Sequence, residues 1–223
     1  MYFEYGAQET EYLARKDKRL GAAIEQIGHI DRAVDGDLFS SVVHQIIGQQ
    51  ISTKAQETIW QRMQQTLGTV DAGHILAAGV PELQKLGITY RKAEYITDFA
   101  RKVQTGECRI EEIWQMPDEE VIRVLSSLKG IGVWTAEMIL LFCMQRPDVL
   151  SYDDLAIQRG LRMLYHHRKI DRRLFEKYRR RYSPYGSVAS LYLWAIAGGA
   201  IPGMRDSMHP PDRAVKKRKP SEL

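Results

Sequence analysis

The sequence predicts an all-α protein, and three observations carry that prediction. Apolar residues recur three and four positions apart over most of the chain, the spacing that lines one face of a helix. These runs are punctuated by helix-starting Asp, Ser, Thr or Pro and by helix-stopping Gly. No stretch shows a convincing strand-like alternation, and no internal repeat is present.

Leu13, Leu20, Ala23, Ile24 and Ile27 lie among many charges and predict one amphipathic packing helix that ends near Gly28. Asp37 then caps a helix buried through Phe39, Val42, Val43, Ile46 and Ile47, which Gly48-Gln49-Gln50-Ile51-Ser52 interrupts. Ser52 or Thr53 caps the next, with Ala55, Ile59, Met63 and Leu67 inward and Gly68 as its stop. A short helix over Ala72 to Ala78 and another after Pro81 follow. Thr89 starts a helix whose inner face is Ala93, Ile96, Ala100 and Val103, closed by Gly106.

Pro117 with Asp118, Glu119 and Glu120 has the composition of an acidic first turn. Val133 to Cys143 is apolar nearly all round, as a helix buried through the middle of a domain must be. A helix starting at Asp154 and a strongly basic helix come next. Ser183-Pro184 opens the last helix, which holds Leu191, Leu193, Trp194 and Ile196 and ends at Gly198-Gly199. After Pro202 charge and proline take over, with Pro210-Pro211 and Lys216-Lys217-Arg218-Lys219, the composition of a solvated, disordered tail.

A chain of 223 residues is long enough for one domain, or two small ones sharing a cleft. The formal net charge of +4 is mild and does not by itself establish a nucleic-acid partner. Its distribution is more telling: Arg168, Lys169, Arg172, Arg173, Lys177 and Arg179 to Arg181 crowd one segment, although a solvated helix face explains such a run equally simply. Cys108 and Cys143 are the only cysteines, and neither a signal peptide nor a long apolar span is evident. An intracellular protein with two free thiols and no membrane partner is the expectation.

Chemistry concentrates between residues 128 and 159. In Leu128-Lys129-Gly130-Ile131-Gly132-Val133-Trp134-Thr135-Ala136, two glycines one residue apart let the backbone turn tightly and aim its N–H groups at an anion. The helix that follows adds its positive end. A Gly-x-Gly alone is also an ordinary tight turn. Twenty residues after Trp134 lies Asp154, preceded by Asp153, and at a helix start either acid can serve as the cap.

This stretch resembles the helix-hairpin-helix of a family of DNA repair glycosylases, of the form Leu-x-Gly-hydrophobic-Gly-x-x-Thr-Ala, followed by a catalytic aspartate with an arginine five residues later, as Arg159 follows Asp154. The likeness covers roughly residues 18 to 205 and is strongest toward the 3-methyladenine DNA glycosylase II branch. The block from Phe39 to Ser52 resembles that branch's early helix and DNA-probing loop. Pro184-Tyr185-Gly186-Ser187, running on to Trp194, is a third match.

The resemblance implies two helical subdomains flanking a cleft: a middle bundle of about 38–133, a second bundle from 1–37 plus 134–205, and a basic tail over 206–223. It implies no iron–sulfur loop, because two cysteines cannot supply four thiolate ligands, and there is no room for the N-terminal β-domain of some members. Asp154 would be the catalytic residue, with Asp153 in support. Trp134, Trp194, Met138 and Leu155 would form the base pocket, with core packing as the alternative for both tryptophans. Met138 and Leu155 stand where aromatic residues occur in the branch, so the preferred lesion stays open.

Gln49, Gln50, Lys129, Gly130, Ile131, Gly132 and Thr135 would contact DNA, with Gln50 where some relatives place a wedging leucine. Carbonyls of Ser126, Leu128 and Ile131 match those that bind a monovalent cation in related hairpins. Lyase-competent relatives carry a Schiff-base lysine at the position of Trp134, so this chain would be a monofunctional hydrolase. It would need no cofactor and act as a monomer on double-stranded DNA containing damaged bases. Two other functions fit the same residues: a noncatalytic DNA-binding hairpin protein, and a glycosylase for uracil, a mismatched pyrimidine or an oxidised purine.

Overall fold

The computed structural model of the chain describes residues 1–208, and among these residues there are twelve helices and no strand beyond a lone antiparallel bridge between Tyr2 and Ala33. In order they are α1 (Ala7–Lys16), α2 (Lys18–Ile27), α3 (Leu38–Gly48), α4 (Thr53–Leu67), α5 (Ala72–Lys85), α6 (Tyr90–Gln104), α7 (Ile110–Ile113), α8 (Asp118–Ser126), α9 (Val133–Phe142), α10 (Leu155–Tyr165), α11 (Arg172–Tyr182) and α12 (Gly186–Ala197). Most of the expected caps close their helices. Asp37 accepts from Ser40 N–H, Ser52 from Ala55 N–H and Thr89 from Lys92 N–H.

Helices α3, α4, α5 and α6 pack on one another, and α1, α2, α10, α11 and α12 form a second group. Helix α9 packs on α8 and on α3, so the boundary expected at 133/134 falls inside the α8–α9 pair. Both α9 and α12 are buried on nearly every side, which accounts for their lack of a polar face. At the α10–α12 contact a Cβ on Gly160 would sit 2.3 Å from the Leu193 carbonyl oxygen. Only glycine permits that approach, and the two helices it joins carry Asp154 and Trp194.

The structure corrects the sequence at several points. The single opening helix is two, because Asp17 is extended (φ −146°, ψ 106°), caps the N–H groups of Arg19 and Leu20, and pairs with Arg181 of α11. The cap is local, but the ion pair reaches a partner 164 residues away, which local spacing could not show. The four-residue α7 was not foreseen. The two pieces expected around Pro81 are present as the two halves of α5, separated by a kink at Gly79, which lies outside helical geometry (φ 71°, ψ 170°).

Asp206, placed at the start of the expected tail, is held by a two-pronged ion pair with Arg162 of α10 (2.8 and 2.6 Å). The rest of the tail, 209–223, lies outside the described residues.

Candidate active site and hairpin

Asp154 caps α10 and has its carboxylate held by four N–H donors. Oδ1 accepts from the backbone of Ala156 (2.9 Å) and Ile157 (2.8 Å) and from Trp194 Nε1 (3.1 Å), while Oδ2 accepts from Trp134 Nε1 (3.0 Å). The residue is 6% exposed, and no arginine or lysine forms an ion pair with it among the described residues. Charged groups buried to this degree ordinarily sit beside an opposite charge. Here neutral dipoles alone fix the carboxylate's direction.

The segment before Asp154 is anchored as well. The buried Ser151 donates to the half-buried Glu137 of α9 (2.5 Å), whose pKa is pushed up by desolvation even though that hydrogen bond pulls it down.

Asp154 lies in the wall of a cavity of about 910 Å³ between the two helical groups. One wall comes from α9 and α12, with Trp134, Met138, Phe142 and Trp194. Trp194 stacks on Phe142 (5.3 Å between centroids), and the Arg32 guanidinium lies 4.6 Å from the other ring of that pair, Phe142.

The opposite wall comes from α3 and α4 and is polar, with His44, Gln45, Gln56, Glu57 and Trp60. The imidazole of His44 packs on Trp60 (4.9 Å), and its Nε2 is buried with no hydrogen-bond partner among the described residues. Burial pushes its pKa down, against the pull of the Asp35 and Glu57 carboxylates. The cavity can therefore offer a flat guest aromatic faces, hydrogen-bonding edges and negative charge together.

The hairpin joins α8 to α9. Gly130 adopts φ 85°, a left-handed conformation, and a Cβ there would lie 2.4 Å from the ring of Tyr95. Gly132 is the N-cap of α9, with no side-chain hydrogen bond to the first turn and open space around its Cα. The leading N–H groups of α9 thus have no side-chain acceptor, the arrangement in which a helix end receives an anion.

Beside it runs the loop between α3 and α4. Gln50 sits there exposed, with φ 58°. Gln49 donates from Nε2 to the Gly130 carbonyl (2.5 Å), joining loop to hairpin.

A profile of HhH-GPD superfamily base excision DNA repair proteins matches residues 43–184. The chain belongs to the HhH-GPD superfamily. A solved DNA-3-methyladenine glycosidase from Bacillus halodurans is similar in sequence and fold, 34% identical with a TM-score of 0.79 over 89% of this chain and 93% of that one. The 3-methyladenine DNA glycosylase of Schizosaccharomyces pombe, solved in complex with abasic DNA, is 25% identical with a TM-score of 0.74 over 85% of this chain and 96% of that one. Bacillus subtilis YfjP is 27% identical over 187 residues, and the match spans 78% of this chain and 64% of that relative.

Within this HhH-GPD fold the expected site residues fall into two places. Asp154, Trp134, Trp194 and Met138 meet at the cavity. Leu155, the first residue of α10, does not: it is 79% exposed and absent from the cavity wall.

Gln49, Gln50, Lys129, Gly130 and Gly132 gather at the hairpin, but the side chains of Ile131 and Thr135 are buried, so only their backbone could meet DNA. Leu128 O, one of the three carbonyls expected to bind a cation, accepts from Ile131 N–H (3.1 Å). Arg159 turns toward Asp206 (3.9 Å), and Asp153 is exposed. His44, Trp60 and Phe142 of the cavity were missed. On α3, α4 and α9 they occupy ordinary helical spacing, and nothing local separates a cavity wall from a core.

Proposed function

We propose that this chain is a monofunctional DNA glycosylase that hydrolyses the N-glycosidic bond of alkylated purines in double-stranded DNA, acting within the cell in base excision repair. The observation that carries this is the Asp154 carboxylate, buried without a cationic partner and held by two indole N–H groups at the aromatic wall of a cavity wide enough to admit a base. Departure of the base leaves positive charge on the sugar, and a fixed, uncompensated carboxylate stabilises that charge where it develops. Oδ1 is saturated by three donors, while Oδ2 has one, which leaves Oδ2 the freer oxygen for the sugar or for an attacking water.

Alkylation at a ring nitrogen makes the purine cationic, so it leaves readily without a strong general acid. The same charge favours its binding between Trp134, which is 42% exposed, and the stacked Trp194–Phe142 pair. The base must first leave the duplex, and a damaged pair lowers that unstacking cost. The uncapped start of α9 would hold a phosphate near the lesion while Gln50 fills the gap. Trp134 has no amine, so no Schiff base to the sugar forms there.

The test is a panel of duplexes with one lesion each, scored for free base and for strand nicking. Release of 3-methyladenine or 7-methylguanine with the strand intact until alkali is added is the expected result. Binding with no base released from any lesion would overturn it in favour of a noncatalytic hairpin protein.

A further inference from the structure

We infer that one side of α6 locks the probe loop to the hairpin, and that Lys92 is the positioning residue through which Gln50 is presented to duplex DNA. This rests on the glycosylase reading above. Lys92, Tyr95 and Asp98 stand three residues apart, so they share one side of α6. Each reaches a different part of the DNA-facing surface. Lys92 donates from Nζ to the carbonyls of Ile47 (2.9 Å) and Gln49 (2.6 Å), Tyr95 fills the space beside Gly130, and Asp98 pairs with Lys129 (3.2 Å).

Gln49 closes the figure by bonding the Gly130 carbonyl. The two segments are 81 residues apart in sequence and meet through these contacts.

The placement of Lys92 is chemically odd unless it has such a task. It sits in the first turn of α6, where a cation opposes the helix dipole, and burial pushes its pKa down. What it gains is the C-terminal end of α3, where helix carbonyls left without amide partners accept its protons.

The chain then turns directly into Gln50, whose φ of 58° is one that a side-chain-bearing residue rarely adopts. Such a conformation persists only where its surroundings impose it. The Lys92 ammonium holds the carbonyl just before it, and Gln49 ties the same residue to the hairpin. A wedge must enter the base stack at a fixed distance from the phosphate grip, because a misplacement of about 1 Å is enough to cost large factors in rate.

The experiment compares Lys92→Met, Lys92→Arg, Gln50→Ala and the Lys92→Met/Gln50→Ala double variant. Single-turnover excision of one lesion at saturating enzyme is measured in a fully paired duplex and in a single strand, with Tm recorded for each variant. Lys92→Met should slow excision from the duplex about tenfold and from the single strand less than about twofold. Lys92→Arg should restore most of the loss, and adding Lys92→Met to Gln50→Ala should cost nothing further, since both act through the wedge.

Equal loss on both substrates, or full additivity in the double variant, would overturn the inference and leave Lys92 a stabilising residue only. If Gln50→Ala itself fails to separate the two substrates, the wedge, and this inference with it, is refuted. If wild type releases no base at all, it is the glycosylase reading that fails.

Discussion

Asp17 and Asp154 are nearly the same object placed in two environments. Each begins a helix, each accepts two backbone N–H groups through Oδ1, and they are 5% and 6% exposed. Asp17 pairs with Arg181 beside the hydrogen-bonded hydroxyls of Tyr165 and Tyr182. Its pKa is raised by burial, but more is taken back by the Leu20 N–H and Arg181, so it stands below the ordinary carboxylate value.

Asp154 has two tryptophan N–H groups where Asp17 has an arginine. Asp17 meets its opposite charge within the fold, whereas under the proposed mechanism the Asp154 carboxyl, held by neutral donors, would face the cationic sugar. The difference is in the company kept, and burial and capping are common to both.

The sharpest way to break this comparison is to remove each charge with an isosteric amide. Asp154→Asn keeps the cap and should reduce single-turnover base release on the order of a hundredfold or more, with lesion-DNA binding and Tm near wild type. Asp153→Asn should cost far less. Activity surviving in Asp154→Asn but lost in Asp153→Asn would move the catalytic role by one residue.

A smaller effect tests the indole grip. Trp134→Phe retains a ring and loses the N–H to Oδ2, so release should fall roughly tenfold. Neither wild type nor this variant should be trapped on DNA by borohydride, and a trapped complex would refute the assignment of a hydrolase.

At the hairpin, Gly132→Asp has room for its side chain and needs no unusual φ, so its effect should be electrostatic. Affinity for lesion and undamaged duplex should drop together, about tenfold, at unchanged Tm. Unaltered binding to both would remove the start of α9 from the interface.

The mildest expected effect belongs to the structural carboxylate. Asp17→Asn should leave excision intact and lower stability by about 1–3 kcal/mol, since Arg181 loses its partner.

The sign with pH follows from the direction of the shift. A carboxylate with a folded pKa below its unfolded value stabilises fully above the unfolded value, about 3.9, and loses that contribution as pH falls through the folded one. Asp206, held at about 2 chiefly by its hydrogen bonds with Arg162, behaves alike. Thermal melts should therefore drop between about pH 4 and 2 in wild type, and less steeply in Asp17→Asn and Asp206→Asn. Parallel acid limbs in all three would show that these pairs contribute little.

What the sequence determined by itself is local. Helical spacing, the caps at Asp37, Ser52 and Thr89, a cap at one of Asp153 and Asp154, and the two-glycine turn each depend on residues within a few positions of one another, where backbone geometry leaves few choices. Through them, the all-α architecture and the tight turn at Gly130-Ile131-Gly132 were legible, whereas the choice of Asp154 over Asp153 came from the resemblance, with Arg159 five residues on.

Tertiary structure alone decided what surrounds them. Trp194 reaches Asp154 across 40 residues because Gly160 lets α12 press against α10, Gln49 finds Gly130 across 81, and Asp17 pairs with an arginine near the other end of the chain. His44 and Trp60 became a cavity wall, and Leu155 left it, for the same reason. A side chain's spacing fixes which face of its helix it occupies, but what that face meets depends on how closely distant helices can pack.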